Sequence, residues 1–208
     1  VNKLTEGLIA KTHFARDLNQ GNYNTEIKLL SENDALGIEM KKLQENIISA
    51  AHEQARYNEE NAKRRYINEG LAKFGNVLRL NSNDLIKLGD SFIRELVNYL
   101  NAIQGGVFLL EEKENEKPVL NLISSFAYNR KKYLEKTILV GEGLVGTCAI
   151  EKKTIHLTEI PKEYISITSG LGDAPPDNLL LVPVIHEEAL IGVIEIASLN
   201  AFKDFEIT

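Results

Sequence analysis

The sequence predicts an α+β chain: an N-terminal helical segment followed by a domain with a central antiparallel sheet. Three observations carry that reading. The first 80 or so residues contain no proline, and their apolar positions recur at spacings of three and four, which is helical. All five prolines and most of the glycines lie beyond them. There the apolar residues alternate or run continuously, ending in "LLLVPVI" and "ALIGVIEIASL". The short join at His186-Glu187-Glu188 makes that last pair an antiparallel hairpin.

At 208 residues the chain holds one large or two small domains. The net charge is −6 with no basic block, which argues against nucleic acid or an anionic membrane surface as a partner. Cys148 is the single cysteine, so no intrachain disulfide is possible. No run of ~18 apolar residues and no N-terminal signal segment is present. The chain opens on "VNKLTEG" without Met and stops at "FKDFEIT", as expected of a piece of a longer protein.

In the first helix Leu4, Leu8, Ala15 and Leu18 share a face that Lys11 interrupts, and the helix should end near Gly21. A connector follows with Tyr23, Ile27 and Leu30 as anchors. Ser31-Glu-Asn-Asp34 has the form of a capping box with Ser31 at the N-cap. Leu36, Met40, Leu43 and Ile47 then step by four, three and four, a coiled-coil seam. It weakens to Ala55 and Ala62 and resumes at Ile67, Leu71, Phe74 and Leu78. One helix over residues 34–79 is predicted, and a second copy is its expected partner. A further helix covers Asp84 to Ala102. Strands follow at Gly106 to Glu111, Val119 to Phe126 and Thr154 to Thr158, then the closing hairpin.

"VGEGLVG" has the G-x-G-x-x-G form at Gly141, Gly143 and Gly146. A dinucleotide site needs parallel strands joined by a long crossover helix. Here about eight residues separate Gly146 from Thr154, and an antiparallel hairpin follows. The glycines read instead as a tight turn and a close helix–sheet approach.

Two resemblances follow from these residues. "ILVGEGLVGTCAIEKKTIHLTEIP" and "NLLLVPVIHEEALIGVIEIASLNAFKDFE", in that order, resemble a GAF domain, a relative of the PAS fold. The resemblance covers residues 81–208, with a last helix cut short. It implies an antiparallel sheet, terminal helices on one face and any ligand pocket on the other. "FARDLNQGNYN" and "SENDALGIEMKKLQENI", with Asp34 and Gly37, resemble a HAMP domain over residues 1–48, although Ala35 replaces the usual acid. Residues 49–80 are the linking coiled coil. This second resemblance implies a parallel four-helix dimer and a membrane helix upstream.

The GAF resemblance places Ser124, Phe126, Tyr128, Tyr133, Tyr164 and Ser169 in the loops that line the pocket of ligand-binding relatives, where aromatic rings either stack a planar ligand or serve as ordinary packing. Glu195, an acid in an apolar strand, faces either water or a polar pocket. Cys148 is either a buried inert thiol or a chromophore or redox site, with no basic neighbour to lower its pKa. "NAFKDFE" lacks the N-K-x-F-D-E signature of cyclic-nucleotide binders. His13, His156 and His186 lack ligand-spaced partners, which argues against a metal. "SAAHEQAR" around His52 resembles a kinase phosphoacceptor box but lacks its Arg-x-Pro, and a solvated helix histidine is the simpler reading.

The implied protein is the sensing and relay region of a bacterial transmembrane receptor, on the cytoplasmic side of the inner membrane. It is a homodimer with a small-molecule ligand and no catalysis of its own. Its output, a histidine kinase of a two-component system or a phosphatase, lies outside the sequence. No cofactor is specified. The alternatives are a ligand-free dimerisation module, or a redox enzyme like the free methionine sulfoxide reductases, which use several pocket cysteines.

Overall fold

The computed structural model describes residues 3–127, 130–132, 136–160, 167–169, 172–174 and 176–207. The chain divides into two compact units, Val1–Tyr66 and Ile67–Thr208.

In the first unit, helix α1 (Lys3–Asn19) buries Gly7, Lys11, Phe14 and Leu18, a stripe stepping four, three and four. The expected face is corrected: of its members only Leu18 is buried, while Leu4, Leu8 and Ala15 are exposed. Lys11 does not interrupt the buried face but belongs to it, because its ammonium pairs with the Asp34 carboxylate. Gly7 leaves room for the Leu30 side chain, which would collide with any Cβ there. The helix closes at Gly21 (φ 84°), with the Asn22 N–H donating to the Asp17 carbonyl at 2.9 Å.

Helix α2 (Ala35–Leu80) is one continuous element. Its cap is Asp34 rather than Ser31. The Gly37 N–H donates to Asp34 Oδ1 at 3.0 Å, and the Ile38 N–H makes the first helical bond to the Asp34 carbonyl. Ser31 contributes only its carbonyl, to the Asp34 N–H. A Cβ on Gly37 would stand 2.8 Å from Asp34 Oδ2, so the D-x-x-G spacing is steric as well as polar. The connector is pinned from α2: Gln44 Nε2 donates to the Tyr23 and Thr25 carbonyls at 2.8 and 2.7 Å.

In the second unit, the end of α2 and helix α3 (Leu85–Tyr99) meet through aromatic rings. Phe74 lies 5.4 Å from Phe92 and 5.6 Å from Tyr99, the latter edge-on. Gly70 lets Tyr99 approach; a Cβ there would stand 3.1 Å from its hydroxyl. Lys73 pairs with Glu95 at 2.8 Å. Phe74 therefore packs within its own chain, which removes it from the expected intermolecular seam. Asp84 caps α3, accepting from the Lys87 N–H.

The sheet has strands β1 (Gln104–Glu111), β2 (Val119–Ala127), β3 (Arg130–Lys132), β4 (Thr137–Leu139), β5 (Ile155–Leu157), β8 (Asn178–His186) and β9 (Ala189–Ser198). Its order is β3-β2-β1-β9-β8-β5, with β4 also pairing with β2, and every ladder is antiparallel. Strands β6 (Ile167–Ser169) and β7 (Gly172–Ala174) form a separate hairpin. The β8–β9 turn is tighter than expected: Glu187 and Glu188 both have positive φ, and His186 pairs directly with Ala189, a two-residue connection.

One face carries Val107, Phe126, Leu180, Ile194 and Ile196. These pack on Ile93 and Val97 of α3, on Phe202, and on Ile207 of helix α5 (Asp204–Ile207). The other carries Phe108, Leu120, Leu179, Leu181, Val193 and Ala197. They pack on Val145, Cys148 and Ala149 of helix α4 (Gly143–Glu151). Gly141 (φ 94°) turns the chain out of β4, and a Cβ on Gly146 would stand 2.5 Å from the Leu139 carbonyl oxygen. The G-x-G-x-x-G stretch is thus a turn and a close approach between a short helix and the strand before it.

Two outcomes follow. The Asp34 carboxyl is held down from 3.8 to about 2, first by the Leu30 N–H, then by Lys11 and the Gly37 N–H. A lowered folded pKa adds stability that is fully present above the unfolded value and is lost as pH falls through the folded one. Urea midpoints of the first unit should therefore drop between about pH 4 and pH 2, and Asp34→Asn should flatten that limb. Gly75, inside α2, would bring a Cβ near nothing. Gly75→Ala should raise stability by about 0.5–1 kcal/mol, read from denaturant melts.

Candidate functional site

The face that carries α4 holds one polar row across the middle of the sheet. Gly106 of β1 pairs with Ser125 on one side and Glu195 on the other, and Glu195 pairs onward with Leu181. Alternation puts Glu195 between Val193 and Ala197, both in the α4-side core. Ser125 and Glu195 are each less than a tenth exposed. Between them Gly106 contributes no side chain. The row therefore sets a hydroxyl and a carboxylate in an otherwise apolar floor, with Leu122 and Phe108 packed against Gly106.

Glu195 thus lies buried on the α4 side, which removes the water-facing reading of it. Ser124 and Phe126 lie on the opposite face, because a strand turns successive residues to opposite sides. The Ser124 hydroxyl donates to Asp90 of α3 at 2.5 Å, and Phe126 packs on Ile93 and Val97. Both are helix-packing residues and stand away from the face where the resemblance puts a pocket. Ser169 ends β6 and pairs with Gly172 in the separate hairpin. Tyr128, Tyr133 and Tyr164 lie outside the described residues. Sequence reasoning missed Ser125 and Gly106. The signal that finds them is the strand register, which two adjacent serines do not reveal.

Cys148 has no exposed surface and sits in the α4-side core. Its Sγ donates to the Lys153 carbonyl at 3.3 Å. Burial, and then the nearby Glu151, push the thiol up to about 11. That describes an inert core cysteine. Among the described residues no group of three His, Cys, Asp or Glu side chains is placed to hold a metal ion.

The seam residues divide. Leu36, Leu43, Ile67, Leu71 and Leu78 are exposed, Met40 and Ile47 are half-buried, and Phe74 packs on α3. From Ala51 to Glu60 every residue of α2 is exposed. Among the described residues no helix is long and apolar enough to cross a membrane.

Comparison with known proteins settles the family. The family model described as a GAF domain matches residues 82–208. The chain belongs to the GAF domain family. No curated relative matches it. Among solved structures it is similar to the nlh2 GAF domain of A. aeolicus in an inactive state, at 16% identity and TM-score 0.50, covering 68% of this chain and 85% of that one. It is also similar to the GAF domain of a phosphoenolpyruvate-protein phosphotransferase from Coxiella burnetii, at 18% identity and TM-score 0.46, covering 64% and 83%. A third is the free methionine-R-sulfoxide reductase of Neisseria meningitidis with its substrate, at 14% identity and TM-score 0.48, covering 64% and 77%. At these identities the likeness concerns the fold. The GAF fold is a sensory or ligand-binding one, and this chain carries it with a polar row on the face opposite α3.

A raised thiol pKa predicts chemistry. At pH 8 a thiol-specific chromogenic disulfide should leave Cys148 unlabelled in the native GAF domain and titrate one thiol per chain in denaturant. Rapid labelling of the native protein would contradict the inert reading.

Proposed function

We propose that the chain is the sensing and relay part of a bacterial signal-transduction receptor. In this reading the GAF domain binds a small molecule on its α4-side face, and α2 carries the response as a parallel dimer. Residues 1–48 act as a HAMP-like linker and residues 49–80 as a signalling coiled coil, downstream of a membrane anchor. The output is a kinase or phosphatase elsewhere in the protein, and the chain itself performs no catalysis.

One observation carries the dimer. Leu36, Leu43, Ile67, Leu71 and Leu78 lie exposed at helical spacing on α2, and their own chain leaves them uncovered. Burying a leucine or isoleucine side chain is worth about 1.5–3 kcal/mol, so the uncovered stripe favours a second copy. Membership of a family whose fold is sensory or ligand-binding supports the ligand. Against a reductase of GAF fold stand the single cysteine and its buried, protonated state. The remaining alternative is a dimerisation module without a ligand.

Native mass spectrometry beside the denatured mass tests both parts. A dimer of the 23.3 kDa chain is expected, with Leu71→Glu/Leu78→Glu shifting it to monomer while the circular dichroism of the sheet persists. An additional mass that disappears in Glu195→Ala supports sensing. A dimer that never carries such a mass, even after incubation with bacterial metabolite extract, supports the spacer. A wild-type monomer at micromolar concentration sinks the relay.

A further inference from the structure

Two polar atoms lie buried on the α3-side face with no hydrogen-bond partner among the described residues: His156 Nε2 and Asn178 Oδ1. Their positions are linked. His156 of β5 pairs with Leu180 of β8, and Asn178 lies two residues before Leu180 on the same face of β8. Asn178 is 6% exposed, and Ser198, its partner across the β8–β9 ladder, is 1% exposed. Phe202 closes the site: its ring meets His156 edge-on at 5.9 Å.

A diagonal cross-strand pair stands roughly 7–8 Å apart at the backbone. The two atoms make no hydrogen bond to each other. A buried polar atom left unpaired loses its hydration with nothing in return, so a pair of orphans on one face is a costly arrangement unless something serves both. The apolar neighbours Leu180 and Phe202 offer neither atom a partner. The molecule that fits has one heavy atom, both donates and accepts, and needs two or more polar contacts.

We propose that one buried water bridges His156 Nε2 and Asn178 Oδ1. This water ties the edge strand β5 to β8 beneath Phe202. Water suits either neutral tautomer of His156: it accepts from an Nε2–H, or donates to a bare Nε2, and in both cases donates to Asn178 Oδ1. The assignment is independent of the ligand face, which lies on the other side of the sheet.

A crystal structure of this chain at about 1.5 Å is the first test. One solvent peak about 2.7–3.2 Å from both atoms is the expected result. Two well-ordered side chains with no peak between them, or an amide turned to bond the imidazole directly, overturns the proposal. Denaturation of His156→Phe, Asn178→Leu and the double variant supplies the second. Each single change orphans the water's other contact, so both should lower Tm, and the double should fall no further than the worse single. Losses that simply add would show that the two residues share nothing.

Discussion

Alternation along β9 is the constraint on which the GAF domain depends. Its central strand neighbours, β1 and β8, pair with it in one continuous register except near the turn. Ile194 and Ile196 therefore commit one face to α3, and Val193 and Ala197 commit the other to α4. A slip of one residue would exchange the two sets entirely. The two-residue turn at Glu187 and Glu188 helps to prevent it, since both residues adopt positive φ and the turn length fixes which residues oppose each other. Gly192 tightens the same ladder: any Cβ there would collide with the Phe108 carbonyl. With the register held, Glu195 must face the α4 side. The polarity of that side is a consequence of backbone pairing rather than of any local motif.

A second, smaller constraint orders the N-terminal unit. Asp34 receives the Leu30 N–H, the Gly37 N–H and the Lys11 ammonium at one carboxylate. One side chain thereby begins α2, closes the connector and fixes α1 beside it. The arrangement accounts for a lysine in the middle of a buried stripe. Lys11 and Asp34 are each less than a tenth exposed at the side chain, and neither charge is tolerable there without the other. Removal of one partner leaves an uncompensated charge, so the two positions are coupled although 23 residues separate them.

Most of the fold was legible because it rests on periodicity. The long helix, α3 and the four long strands follow from spacings of three, four and two, and the GAF motifs follow in family order. What was not legible rests on contacts between elements. Lys11 looks like a break in a helix face until Asp34 is placed against it. Phe74 continues a heptad until Phe92 and Tyr99 claim it. Ser31 fits a capping box, yet the helix starts three residues later, where Asp34 at the end of the same box accepts from the Gly37 N–H. Ser124 and Ser125 are interchangeable in sequence, and only pairing with Val107 and Gly106 assigns them to opposite faces. A tertiary partner reversed the local reading in each case.

The middle of α2 differs from its two ends. Its residues Ala51 to Glu60 are exposed all round, so no tertiary burial within this chain supports them. Intrinsic propensity alone leaves a helix of this length marginal in water, because side-chain pairs at four-residue spacing add only about 0.2–0.5 kcal/mol each. The flanking turns that do pack, through Gly37 at one end and through Phe74 at the other, nucleate helix on both sides. A stretch nucleated from both ends but buried by neither is the most easily altered part of the helix. A second copy laid along Leu36 and Leu43, and again along Leu71 and Leu78, would supply the missing burial at the flanks and leave the polar middle as the compliant segment.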